Sequence, residues 1–251
     1  MKRIAPTRIA PTRIAMWSGP RNLSTAMLRS FGARPDTAVS DEPYYGAYLK
    51  LTGDPQPMAA DVIADMDCDW ASITRTLSGP VPGEKPIWYQ KHMAHHMEGP
   101  IGIADLPTHS HAFLIRDPVR VVASYAEKRE AVRPEHLGLA RQRRWFDELA
   151  DTLGHAPPVV DSADILANPE ATLTALCAAL NIPWSPHMLH WLPGRRETDG
   201  IWASHWYASV EASTGFGPPP GALPRLTPEA QAIADACAAD YAHLHQFRIT
   251  A

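Results

Sequence analysis

The chain has 251 residues, 45% of them hydrophobic, enough to bury one substantial core, and it reads as one domain. A net charge of −4 supplies no polyanion-binding field, so nucleic acid is not expected as a partner, and no apolar run reaches membrane-spanning length. Cys68, Cys177 and Cys237 are scattered without metal-ligand spacing and read as reduced thiols of a cytoplasmic protein.

The first residues repeat. Arg3-Ile4-Ala5-Pro6-Thr7 recurs as Arg8-Ile9-Ala10-Pro11-Thr12, and a third copy, Arg13-Ile14-Ala15, runs into an apolar stretch. The repeat is basic and its prolines break any amphipathic helix, so residues 1–12 read as a small in-frame duplication, disordered and outside the domain at 13–251. Arg13 to Trp17 then reads as a strand that breaks at Gly19-Pro20 and opens into a helix from Ser24, whose apolar residues Met27, Leu28 and Phe31 lie three and four apart. A strand feeding a helix N-terminus in this way aims backbone N–H groups and the positive end of a dipole into the turn, where an oxyanion can bind. Arg21 and the hydroxyls of Ser24 and Thr25 would add charge-assisted donors.

Thr37 to Ser40 reads as a second strand with Asp41-Glu42-Pro43 at its carboxyl end, and Pro57 to Leu77 as one helix, acidic on one side. Further strands are expected at Pro86 to Lys91, His111 to Ile115 and Pro158 to Val160. Helices are expected at Val119 to Arg129, Glu135 to Leu153, Pro169 to Leu180 and Thr227 to Phe247. Asp117 fits a cap and Pro118 the first helical position. Alternation at this spacing argues an α/β fold, a mostly parallel sheet flanked by helices in three layers. Ligands bind such sheets at the carboxyl ends of strands, where Arg21, Glu42, His92 and Arg116 all fall. Pro193 to Arg225 reads as a long Gly- and Pro-rich loop carrying Trp202, His205, Trp206 and Phe216, a lid that is open to proteases until a nucleotide binds.

With these segments in place the chain resembles the sulfotransferases that use 3'-phosphoadenosine 5'-phosphosulfate (PAPS). Their first loop, P-K-S-G-T-T, is matched by Pro20, Arg21, Asn22, Leu23, Ser24 and Thr25. Their strand-end Arg followed eight residues on by Ser is matched by Arg116 and Ser124. Ile87 to His92 is similar to the third strand that ends in K-T-H, Asp164 to Glu170 to the E-D-L-x-x-D-P stretch, and Arg195 to Trp206 to the late R-K-G-x-x-G-x-W segment. The resemblance implies a P-loop-like nucleotide-binding architecture. It places the 5'-phosphosulfate on the first loop and the 3'-phosphate on Arg116 and Ser124. Arg195, Arg196, Gly200 and Trp202 would close over the nucleotide. Leu23 stands where the family has Gly, Arg21 where it has Lys, and Gln90 where it often has Lys, which indicates a divergent, bacterial-type branch.

Sulfuryl transfer needs an anion cradle, a base for the acceptor proton, and donors for the charge that develops on the bridging oxygen. His92 is one expected base and Glu42 the other, with Asp41-Glu42-Pro43 resembling the F-E-P of some carbohydrate sulfotransferases. Strand alternation puts Gln90 and His92 on one face and Lys91 on the other. His92, His95 and His96 have helix-face spacing but no HExxH pattern, and no metal is expected. Trp202 and Trp206 would stack on adenine, wall the acceptor pocket, or pack in the core. The expected function is transfer from PAPS, giving adenosine 3',5'-bisphosphate (PAP), to a hydroxyl or amine of a small acceptor. A small-molecule or nucleotide kinase, which lacks its Walker lysine here, and a non-catalytic phospho-nucleotide binder are the alternatives.

Overall fold

The computed structural model describes residues 10–126 and 132–250. Five strands, β1 (Thr12–Ser18), β2 (Thr37–Asp41), β3 (Ile87–Met93), β4 (His109–Ile115) and β5 (Val159–Asp161), form one sheet in the order β2-β3-β1-β4-β5. Every neighbouring pair is parallel, so each link must cross a face of the sheet and helices cover both sides. These are α1 (Ser24–Gly32), α2 (Tyr45–Thr52), α3 (Ala59–Asp65), α4 (Trp70–Ser78), α5 (Pro118–Ala126), α6 (Pro134–Leu137), α7 (Leu139–Leu153), α8 (Ser162–Ala167), α9 (Pro169–Ala179), α10 (Ala203–Trp206), α11 (Ala208–Glu211) and α12 (Pro228–His245).

Alternation along β1 sets the two cores. Ile14 and Met16 face Met27, Leu28 and Phe31 of α1 and Leu173 and Leu176 of α9. Ala15 and Trp17 face Val121 of α5, Trp145 and Phe146 of α7, and Leu244 of α12. Each fully buried side chain of this size contributes roughly 1.5–3 kcal/mol of transfer free energy, which is why the short β1–α1 unit is rigid enough to shape a loop. The fold class is the expected one, α/β with a parallel sheet between helical layers in a P-loop-like arrangement.

The elements differ from the sequence reading where side chains compete with periodicity. The single helix expected over 57–77 is two, because Asp69 leaves the helix and caps α4 by accepting a hydrogen bond from the Ser72 N–H at 2.6 Å. The helix expected over 135–153 breaks at Gly138, whose φ of +70° only glycine adopts freely, and splits into α6 and α7. Helix α2 was not expected at all. Of the helix expected over 119–129, residues 118–126 are helical, and 127–129 lie outside the described residues. Residues 1–9 of the repeat lie outside them too, whereas Thr12 already belongs to β1 and donates its N–H to Pro86 at 2.9 Å. No described helix is long and apolar enough to cross a membrane.

Candidate active site

At the carboxyl ends of β1, β3 and β4 lies a cavity of about 400 Å³. One end is the loop from β1 into α1. Gly19 passes so close to α6 that a Cβ there would sit 2.2 Å from the Leu137 carbonyl oxygen, so no larger residue fits. Arg21 and Leu23 hold left-handed backbone angles, φ of 59° and 72°, in the region that glycine takes without strain. Leu23, which stands where the resembled pattern has Gly, thus takes an angle that glycine adopts without strain, and having no polar side chain it leaves the first-turn N–H groups of α1 without a side-chain cap. Asn22 is buried and ties the loop to β4 by donating to the Leu114 carbonyl at 3.2 Å.

The start of α5 closes the same end. Arg21 Nε donates to Ser124 Oγ at 2.9 Å, and Arg116 donates to the Arg21 carbonyl oxygen at 2.6 Å. Burial, then the neighbouring Arg120 and Arg21 charges, hold the Arg116 guanidinium below its ordinary pKa. Two segments about a hundred residues apart in sequence thus form one cationic wall with Pro20, Leu23, Ser24, Thr25 and Arg116 on its surface. Such a wall, built from a helix N-terminus and guanidinium groups, suits an anion.

The other end is acidic. Lys91 on β3 donates to Asp41 Oδ1 at 2.8 Å, to Glu42 Oε1 at 2.6 Å and to the Tyr207 hydroxyl at 2.6 Å. Tyr207 donates onward to Asp41 Oδ2 at 2.7 Å. Burial opposes the Lys91 charge, but the Asp41 and Glu42 carboxylates outweigh it and push its pKa well above the usual value, so the ammonium is permanent. Burial, then Asp41, raises Tyr207 well above a free phenol. Glu42 itself sits at φ 44°, another left-handed position in a non-glycine residue at the cavity rim.

Aromatic rings wall the space between. His96 is stacked between Tyr45 and Tyr48, with ring centroids 4.5 and 4.7 Å away, and burial, then the Lys91 charge, keeps it neutral. Its buried Nδ1 has no hydrogen-bond partner and lies 3.8 Å from Glu42 Oε2. Trp202 meets Tyr45 edge to face at 5.1 Å, and Trp202, Trp206, Tyr207 and Phe216 complete the wall. The segment read as a loop is thus partly helical (α10 and α11), and Gly200 is required because a Cβ there would lie 2.0 Å from the Trp202 ring.

Of the expected site residues, Arg21, Leu23, Ser24, Thr25, Glu42, Arg116 and Trp202 line this cavity. Asn22 and Ser124 stand behind it as supports. Arg195 is exposed, and Arg196 turns its guanidinium onto carbonyls of its own loop, Gly194 among them at 3.1 Å. His92 is not in the cavity. It lies under the opposite face of the sheet, 1% exposed, stacked on Trp17 at 4.4 Å and 3.3 Å from Gln90 Oε1. Burial, then His109 and His111, drive its pKa well below 6.5. Strand alternation did separate Lys91 from His92, but it is Lys91 that turns toward the site. Tyr207 escaped the sequence reading, which took Asp41 only as part of the strand-end turn and His96 only as a metal-ligand candidate. Among the described residues no group of three or more His, Cys, Asp or Glu is arranged to hold a metal ion.

A family model described as a sulfotransferase domain matches residues 12–242. Two Arabidopsis thaliana proteins, branched-chain-amino-acid aminotransferase-like protein 1 and protein 2, are 36% and 34% identical over 210 and 206 residues. Each match takes in 82% of this chain, which spans only 37% and 36% of those relatives' lengths. The crystal structure of a sulfotransferase from Alicyclobacillus acidocaldarius shares the fold, with a TM-score of 0.54 at 14% identity over 96% of this chain and 98% of that one. By a match that runs from the first strand into the last helix, the chain belongs to the sulfotransferase domain family.

Proposed function

We propose that this chain transfers a sulfuryl group from PAPS to a hydroxyl or amine of a small acceptor. The observation that carries the reading is the junction of two anion-binding elements, Arg21 with Ser124 and Arg116 with the Arg21 carbonyl, opposite a carboxylate at the far end of one cavity. The donor set fits a nucleotide with two separate anionic groups. The uncapped first turn of α1 with Arg21, Ser24 and Thr25 suits the 5'-phosphosulfate, and Arg116 suits the 3'-phosphate, with Ser124 behind the wall holding Arg21 in place. Trp202 supplies the wall from the late segment, whereas Arg196 is turned onto carbonyls of its own loop. The catalytic unit is a single domain that starts at Thr12, one residue before the repeat would suggest.

Glu42 takes the acceptor proton at Oε2, the oxygen that Lys91 does not hold. Lys91, its three protons committed to Asp41, Glu42 and Tyr207, orients that carboxylate. Arg21 and the first-turn amides hold the charge that develops on the departing phosphate oxygen. A thermal-shift comparison tests the reading: saturating PAP should stabilise the protein by several kcal/mol, following mass action, and ATP with Mg²⁺ should not. Stabilisation by ATP with Mg²⁺ alone would replace the sulfotransferase reading with a kinase.

A further inference from the structure

Helix α7 turns one polar side chain into the core. Its other buried residues, Leu139, Trp145, Phe146 and Leu149, belong to the apolar layer that holds Trp17, but Gln142, one turn before Trp145 and Phe146, is just as deep, at 0% exposure. A buried amide is costly unless both of its ends find partners. The orientation that satisfies both has Nε2 donating to the Trp17 carbonyl at 3.2 Å and Oε1 accepting from the Gly19 N–H at 3.3 Å. Gln142 thus spans the point at which the backbone leaves β1 for the anion loop. Among the described residues no backbone carbonyl takes that Gly19 N–H.

The neighbouring backbone closes on the same point. The Leu137 carbonyl blocks any side chain at Gly19. Gly138, where α6 meets α7, packs against the turn after β3 so closely that a Cβ would lie 3.2 Å from the His95 nitrogen and 3.3 Å from Ala94 Cβ. One junction therefore backs both the anion loop and the turn that carries His95 and His96 to the cavity. The loop needs such backing. Arg21 and Leu23 hold left-handed angles that a non-glycine residue keeps only where its surroundings over-determine them. Asn22 fixes the middle of the loop from β4, and Gln142 fixes its entry from α7.

We propose that Gln142 is the positioning residue of the anion loop. Its amide holds Trp17 and Gly19 at the spacing that keeps Arg21 and Leu23 left-handed, and so keeps the first-turn N–H groups of α1 and the Arg21 guanidinium set for the 5'-anion. This rests on the loop's part in the sulfuryl-transfer reading. Gln142 touches no ligand itself. Without its two bonds the loop relaxes toward the angles that non-glycine residues prefer, and the cradle is lost while the sheet and its cores remain. Because Arg116 leans on the Arg21 carbonyl, the 3'-phosphate end follows the same change.

Gln142→Met keeps the volume of the side chain and removes both bonds. AMP, which carries only the 5'-phosphate, and PAP are titrated calorimetrically onto the variant, with folding read from its urea midpoint. AMP affinity should fall roughly tenfold and PAP affinity at least as much, the scale of a released backbone strain. Adding Leu23→Gly should bring both nucleotides back to within about threefold of Leu23→Gly alone, because glycine takes the left-handed angle without the clamp. A residue that only stabilised the core would not be rescued by a glycine in the loop. AMP affinity within about threefold of wild type in Gln142→Met, or no recovery with Leu23→Gly, overturns the proposal. If Gln142→Met does not fold, hydrogen exchange on the wild type decides: the Gly19 amide should be protected in the free protein, and fast exchange overturns the proposal. Failure of the wild type to bind either nucleotide would instead remove the sulfuryl-transfer reading, and the Gly19 exchange would still test the clamp.

Discussion

Arg29, inside helix α1, grips Asp199 in the late segment through two parallel hydrogen bonds of 2.5 and 2.7 Å, with both side chains buried. Asp199 also accepts from the Arg196 N–H at 2.8 Å, so one carboxylate fixes both the helix behind the anion loop and the turn that leads to Trp202. Tyr207, eight residues on, is pinned to Asp41 and Lys91. The segment that walls the cavity is therefore fastened at two buried points. Its composition alone suggested a loop that stays loose until nucleotide binds.

Asp199→Ala strands the Arg29 charge in the interior, and a buried guanidinium without its partner costs roughly 3–5 kcal/mol. Urea unfolding should show that loss. Limited proteolysis should show cleavage between Gly200 and Phe216 in the variant, suppressed by PAP, with the wild type resistant in both states. A wild type cut as readily as the variant would mean that the pair does not hold the segment.

Arg116→Ala removes a charge-assisted donor from the α5 end of the cavity. PAP affinity should fall by about 1.5–3 kcal/mol while AMP affinity changes little, because AMP offers no 3'-phosphate. Calorimetric titration of both nucleotides against wild type and variant measures the difference. Equal wild-type affinity for PAP and AMP would remove the 3'-phosphate site from the proposal.

The two residues that the sequence offered as base now separate. Glu42→Gln should lower turnover by roughly two to four orders of magnitude with PAP binding nearly intact. His92→Ala should instead open a void beside Trp17 and lower stability by a few kcal/mol, with the folded fraction still active. Single-turnover assays at matched folded concentration decide between them; an inactive, folded His92→Ala would restore His92 to the chemistry.

How far the sequence could be read follows from what each signal measures. The strand–loop–helix units at β1–α1 and β4–α5 were legible because a short apolar run followed by period-3.6 apolar residues is a local pattern, and the strands and helix starts of both units appear within two residues of expectation. The breaks at Asp69 and Gly138 were not, since each depends on a capping bond or a backbone angle that periodicity does not register. On β3 alternation separates Lys91 from His92, but which face meets the cavity is decided by the end of β2, where Asp41 and the following Glu42 lie beside Lys91. Tyr207 joins them across 116 residues of sequence, a contact that no local pattern reports.

The last prediction concerns acid. On the face of the sheet opposite the cavity, His92, His109 and His111 are buried around Trp17. Trp17 donates its indole N–H to His111 Nδ1 at 3.1 Å, and His111 Nε2 lies 3.2 Å from the Leu106 carbonyl oxygen. This fixes the neutral ring with Nδ1 as acceptor, and protonation there breaks the Trp17 bond. Burial lowers His111 to about 4, and burial, then His111 and Arg13, lowers His109 to about 4. Folded values below the unfolded 6.5 mean that the full stability is present above pH 6.5 and drains away as the pH falls toward 4. The slope is on the order of 1 kcal/mol per pH unit for each histidine held neutral. Urea midpoints should therefore be flat from pH 7 to 8 and drop steeply from pH 6 to 4.5. His111→Gln removes one titrating group and should make that drop shallower, although the variant starts less stable at pH 7. An unchanged slope in His111→Gln would place the acid sensitivity elsewhere in the molecule.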